Sequence, residues 1–193
     1  MRETRPSETV VRSSTRPTVF ICYAHADNES QDRKLLWLDR FRTFLAPCVR
    51  QDHVTVWSDR EIQAGENWHE TIQARLAAAD AAVLLVSPYL LASEYFANSE
   101  LPVLLKGASD RGLRIISILL APCGFDRAKF KYPDPRTGPN EFTLSSLQAA
   151  NAPSETLLDL SEAEQNRVFT RVAGQLADLV PQTDGNRVRQ PIS

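Results

Sequence analysis

With 193 residues, 42% of them apolar and 24% charged, the chain is long enough for one ordinary core and too short for two. Its formal charge of −2 offers no basic footprint for nucleic acid or an anionic membrane surface. Cys22, Cys48 and Cys123 are too few and too far apart for a disulfide framework and form no C-x-x-C pair, so a reducing, cytoplasmic setting without structural zinc is expected.

No run approaches the roughly 18 apolar residues of a membrane helix. Residues 1–17, with Arg2, Arg5, Arg12 and Arg16 among Ser and Thr, lack the apolar centre of a secretory signal and read as a disordered arm. Thr18 to Tyr23 is an apolar run with β-branched and aromatic residues and no helical period, which predicts a buried strand. Asp27 or Asn28 is placed to cap the helix that follows, whose apolar stripe is Leu38, Phe41 and Leu45 and whose expected end is Pro47. His53 to Trp57 is a second strand, and Ser58 to Glu66 an exposed loop. Asn67 caps a helix marked by Trp68, Ile72, Leu76 and Ala79, with Trp57 and Trp68 expected as core anchors flanking the loop.

Ala81 to Val86 is apolar throughout, as a central parallel strand buried on both faces should be. Ser87-Pro88 supplies an N-cap and a proline at the first helical position, and Ser93 a second cap before a helix running to about Gly107. Leu113 to Leu120 is a fourth strand. The proline-rich segment 121–159 has no clear period and is long for a connection, which suggests a lid, a binding surface or an assembly arm, with a fifth short strand near Thr156–Leu158. Ser161 to Glu164 is a capping box opening a last helix through Val168, Val172, Leu176 and Val180, and residues 181–193 form a polar tail or linker.

Strands alternating with helices imply an α/β fold with helices on both faces of a parallel sheet. The expected form is a flavodoxin-like three-layer sandwich of five strands in the order 2-1-3-4-5, occupying residues 18–180. Ligands on such a sheet bind outside the carboxyl ends of the strands, at the switch point beside strands 1 and 3. The chain has no G-x-G-x-x-G after its first strand, no P-loop and no G-x-S-x-G elbow, and Ser87 stands where a receiver-type phosphoacceptor would need an aspartate.

Five pieces remain in order: Phe20 to Ala24, Trp57-Ser58-Asp59, Gly65 with Trp68, Leu84 to Pro88, and Ser93 through Glu100-Leu101. Together they make the chain resemble the Toll/interleukin-1 receptor (TIR) domain family, in particular its bacterial NAD⁺-cleaving members. The first-strand pattern of the family is similar to Phe20–Tyr23, with Cys22 in the small position. The family's proline-glycine loop is similar to Ala64-Gly65, with the proline lost, and the usual third-helix tryptophan is replaced by Phe96.

The resemblance implies cleavage of the nicotinamide–ribose bond of NAD⁺, as substrate and without a cofactor or metal, giving ADP-ribose or a cyclic isomer. Glu100 is the catalytic carboxylate by that resemblance, and Phe96, four residues earlier, shares its helix face and could stack a ring. Pro102 has no N–H to give the Asn98 carbonyl, which should distort the helix around Glu100. Tyr23, His25, Asp59 and Trp68 are expected to line the cleft. Arg60, Glu61, Ile62 and Gly65 correspond to a self-association loop through which copies of the domain pair homotypically, recruited by a sensor domain or partner protein in immune signalling or antiviral defence. The alternative within the family is a non-catalytic adaptor that acts by TIR–TIR binding alone.

Overall fold

A computed structural model of the chain describes residues 16–61, 67–134, 136 and 138–179. Its centre is the strand Ala81–Val86 (β3), whose six residues are all buried. On one side β3 pairs in parallel with Thr18–Cys22 (β1), which pairs with Thr55–Trp57 (β2). On the other it pairs with Arg114–Leu119 (β4). All four carboxyl ends therefore point the same way.

Alternate residues of these strands feed two cores, because successive side chains leave a strand on opposite faces. Val19, Ile21, Val83, Leu85, Ile116 and Ile118 meet the helices Trp37–Arg50 (α1) and Glu162–Ala177 (α5), with Phe41 and Phe169 fully buried between them. Phe20, Cys22, Ala82, Leu84, Val86 and Leu119 face the other way, onto Trp68–Ala78 (α2) and a helix Leu101–Arg111. That helix ends at Gly112, whose φ of 73° is the left-handed cap conformation glycine adopts most easily. The three layers match the expected sandwich.

The order of the five strands is β2-β1-β3-β4 followed by one more, but the last is not where it was sought. Between β4 and α5 lie a hairpin of Lys129–Lys131 (β5) with Glu141–Thr143 (β6), and then Gln148–Ala149 (β7), which pairs in parallel with Ile116 and Ser117. Leu157–Asp159 is instead a 3-10 turn. Asp159 accepts from both the N–H and the hydroxyl of Thr156, at 2.8 and 2.6 Å, a local closure that competes with strand pairing. The bond from Leu158 N–H to the Leu120 carbonyl, 3.0 Å, links that turn to the chain at the end of β4. Above β7, the Asn151 side chain accepts from Leu119 N–H at 2.9 Å and donates to the Leu119 carbonyl at 3.1 Å. The long segment is thus largely packed structure: Phe125, Phe130 and Leu144 are buried in the second core.

Pro47 also behaves differently from expectation. It lies inside α1, which continues to Arg50, because the proline forfeits one backbone bond while its ring keeps a helical φ. At the other end of α1, the Asn28 carboxamide accepts from the Asp39 N–H at 3.1 Å and donates to its carboxylate at 3.2 Å, a cap supplied from the loop after β1. Among the described residues no helix is long and apolar enough to cross a membrane.

Candidate functional site

Three loops leave the carboxyl ends of β1, β2 and β3 and meet above the sheet. After β1, His25–Asn28 forms a 3-10 turn; after β2, Asp59–Glu61 forms another. After β3, Ser87 caps the short helix Pro88–Leu91 (α3) by accepting from Leu90 N–H at 3.1 Å. The Ser87 hydroxyl also donates to the buried carboxylate of Asp27 at 2.5 Å, tying the first loop to the third. Burial raises the Asp27 pKa and the Ser87 bond opposes the rise.

The second loop is held by its own sequence. Glu61 accepts from the N–H and hydroxyl of Ser58 at 2.6 and 2.9 Å, and takes an ion pair from Arg42 on α1 at 2.5 Å. Arg60 is paired with Asp39, also on α1. These anchors turn Asp59 inward, where its Oδ2 meets His25 Nε2 while its Oδ1 is buried with no hydrogen-bond partner. The Tyr23 hydroxyl sits beside Asp59 and Arg60; burial and then the Asp59 charge raise its pKa. A cleft of about 260 Å³ opens between Tyr23, His25, Asn28, Glu29, Asp59, Arg60 and Trp68.

Beyond α3, Ser93 accepts from Phe96 N–H at 3.2 Å and the chain enters a π-helical turn, Phe96–Glu100, in which Leu101 N–H reaches back five residues to the Phe96 carbonyl. Leu101–Arg111 (α4) then continues with Pro102 in its first turn. The expected distortion is present and takes this form. Pro102 supplies no N–H, and the extra residue in the turn carries the helix past it. Glu100 is the last residue of the π turn, 8% exposed. Burial, and secondarily the charge of Asp59, push its pKa up to about 8.

The structure brings Tyr23, His25, Asp59 and Trp68 together around the cleft, with Trp68 42% exposed at its rim rather than anchored in the core. Glu100 lies outside the lining and is coupled to it through the charge of Asp59. Phe96 corrects the ring-stacking expectation. It is fully buried and packs edge-on against Phe130 at 6.0 Å between centroids. Counting back four residues from buried Leu101 reaches Ala97; the π turn makes the step five, and Phe96 goes to the core instead. The aromatic pair near the cleft is exposed Trp68 with half-buried Tyr95, 4.3 Å apart, and Tyr95 also contacts His69 at 3.2 Å from its hydroxyl. Burial raises the Tyr95 pKa, with Glu100 among the charges that add to it.

Tyr95, Asn28 and Glu29 were not legible as site residues. The one available signal was Tyr95 standing next to Phe96, since neighbouring helical residues point about 100° apart and the second aromatic falls toward the edge of the buried stripe. Arg60 and Glu61, expected in a projecting association loop, are engaged with α1; Ile62 and Gly65 lie outside the described residues, as do the arm through residue 15 and the chain from Val180. Among the described residues no group of three or more His, Cys, Asp or Glu side chains is arranged to hold a metal ion.

A parallel sheet in this order, covered by helices on both faces, defines a flavodoxin-like α/β protein, and the polar cleft and the buried Glu100 lie near the carboxyl edge of its sheet. The chain belongs to the TIR domain family, whose pattern matches residues 19–150, a span that takes in every cleft residue and Glu100. A curated relative, the uncharacterized protein y4lF of Sinorhizobium fredii (strain NBRC 101917 / NGR234), is 32% identical over 114 residues. The match covers 59% of this chain and 33% of the relative, so the chain spans about a third of that protein's length. Among solved structures, FerB, a flavoenzyme NAD(P)H:(acceptor) oxidoreductase from Paracoccus denitrificans, aligns over 86% of this chain and 96% of its own at 8% identity and a TM-score of 0.39. A likeness at that level carries no inference about activity.

Proposed function

We propose that the protein is an NAD⁺ glycohydrolase in which Glu100 is the catalytic carboxylate, acting as an assembly-dependent effector in immune signalling or antiviral defence. The observation that carries this reading is Glu100 itself: a nearly buried carboxyl on a π turn, at the carboxyl edge of the sheet, beside a second acid. π turns inside helices recur at functional sites, and perturbed carboxyl groups cluster there.

The chemistry suits such a group. Breaking the C1′–N bond sends its electron pair to the nicotinamide nitrogen, neutralising the ring and leaving positive charge on the ribose; water then captures the sugar. A fixed carboxylate lowers the energy of that oxocarbenium-like state. The empty site favours the neutral acid, and a cationic nicotinamide riboside beside Glu100 favours the anion. The substrate thereby helps to generate the form that the reaction needs.

A cleft of 260 Å³ is small beside the roughly 300–1,000 Å³ of ordinary ligand pockets and suits a nucleoside rather than a whole dinucleotide. This supports a working state in which a second copy of the domain completes the cleft. The other reading within the family, a non-catalytic adaptor, is favoured by the cover over Glu100. Concentrated protein with a crowding agent and NAD⁺, followed for free nicotinamide, separates them. Release that vanishes in Glu100→Ala supports the enzyme; unchanged release in the variant overturns the site, and none in any assembled state favours the adaptor.

A further inference from the structure

Water that captures the sugar has to lose a proton as its oxygen bonds C1′, and a base in the cleft speeds that step. Most of the lining is spent elsewhere. Asn28 caps α1, Arg60 is paired with Asp39, and Trp68 carries no base. Burial and the Asp59 charge hold Tyr23 as the neutral phenol. Asp59 has one oxygen on His25 and the other closed off from the cleft.

His25 is differently placed. Its Nε2 meets Asp59 Oδ2, yet its side chain is 62% exposed and lines the cleft. In the tautomer that donates to Asp59 from Nε2, the basic lone pair is the one on Nδ1, across the ring. A carboxylate in this position fixes the ring and stabilises the imidazolium that forms, which is how acid–histidine pairs serve as bases. Asp59 is itself held firmly, since Glu61 closes its turn onto Ser58 and the Tyr23 hydroxyl lies against it. The same carboxylate is the one whose charge reaches Glu100, so His25 and Glu100 share it as a neighbour.

We propose that His25 is a second catalytic residue, the general base that takes a proton from the attacking water through Nδ1 while Asp59 holds the ring at Nε2. The proposal rests on the glycohydrolase reading for the reaction, and on the His25–Asp59 pair for the base. As the C1′–N electron pair leaves with nicotinamide, a lone pair of the water oxygen forms the new bond to C1′. The O–H electrons stay on that oxygen, the proton passes to Nδ1, and the imidazolium returns it to solvent. Recapture of nicotinamide is different, because the ring nitrogen attacks with a lone pair and has no proton to lose. The base therefore serves hydrolysis and not nicotinamide exchange.

Two rates are measured on one preparation of concentrated protein: ADP-ribose formed from NAD⁺, and incorporation of labelled nicotinamide into NAD⁺. His25→Gln keeps a donor for Asp59 and removes the base, while His25→Ala opens space for a small one. In both variants ADP-ribose formation is expected to fall by about 100-fold or more while incorporation changes by less than about threefold, and added imidazole restores hydrolysis in His25→Ala. The ratio of the two rates is taken within one sample, so it does not depend on how much of a variant is folded. Rates that fall together, a ratio that His25→Gln leaves intact, hydrolysis that imidazole fails to restore, or a split that Glu29→Gln produces instead overturns the proposal. Release and incorporation that depend on Glu100 but are not split by His25 remove the role of His25 and leave the proposed activity. Neither rate in the parent protein removes the activity and the role of His25 with it.

Discussion

The carboxamide of Gln73, on α2, donates to the main-chain carbonyl of Ser99 at 2.9 Å, so the widened turn that ends in Glu100 is held by a neighbouring helix as well as by its own ladder. Gln73→Leu keeps the bulk and removes the donor. Denaturant unfolding should show a loss of about 1 kcal/mol, with nicotinamide release reduced well beyond what that stability change explains. A proportionate loss of both would mean that the bond only stabilises the fold.

Pro102→Ala tests the turn from the other side. The new N–H lies four residues after Asn98 and can bond its carbonyl, favouring a regular α-helix in place of the π turn. Thermal stability is expected to hold or rise, and activity to fall, because Glu100 would rotate relative to Asp59. Hydrogen exchange across residues 96–102 reads the change in the turn directly.

The pKa of Glu100 makes two statements about pH. Its folded value near 8 lies above the ordinary 4.5, so the folded state favours the neutral acid. Below 4.5 that preference carries no penalty; between 4.5 and 8 stability falls as pH rises. Glu100→Gln should therefore melt higher than the parent at pH 8.5 and converge with it by pH 4.5, the difference having an upper limit of roughly 4 to 5 kcal/mol by linkage. If the anion is the working form, kcat/KM rises with pH through a limb near 8, which is absent from the variant's residual rate.

Ser87→Ala removes the hydroxyl that supports the buried Asp27 carboxylate. Because burial has already raised the Asp27 pKa, the sign is fixed: where Asp27 is protonated the loss falls toward that of the α3 cap alone, about 1 kcal/mol, and it grows as pH rises and the group must ionise. A pH-dependent part of about 1–3 kcal/mol at pH 7, shrinking toward pH 3 and leaving only the cap's share, is expected from paired urea melts.

Most of the frame was legible because it is written in periodicity. Six consecutive apolar residues named β3, Ser161 and Glu164 named the start of α5, and Pro102 announced a distortion near Glu100. What the pattern could not supply was the outcome of competition between local and distant partners. Thr156 and Asp159 closed on each other instead of joining the sheet, which moved the last strand back to Gln148. The π turn shifted the helical count by one residue, exchanging Phe96 for Tyr95 as the aromatic near the site. Arg60 and Glu61 look like free loop charges in sequence, and only the folded position of Asp39 and Arg42 turns them into anchors for Asp59.

The Asn151 carboxamide engages both the N–H and the carbonyl of Leu119 at the upper end of β4. An incoming strand on that border would have to expel a side chain that already satisfies its hydrogen-bonding groups. Strand addition along the part of β4 that β7 leaves uncovered is therefore opposed, together with the Leu158 N–H that holds the Leu120 carbonyl, by this amide. Exchanging it for leucine would create a new sticky margin, and with it a route to aggregation that the native chain keeps shut.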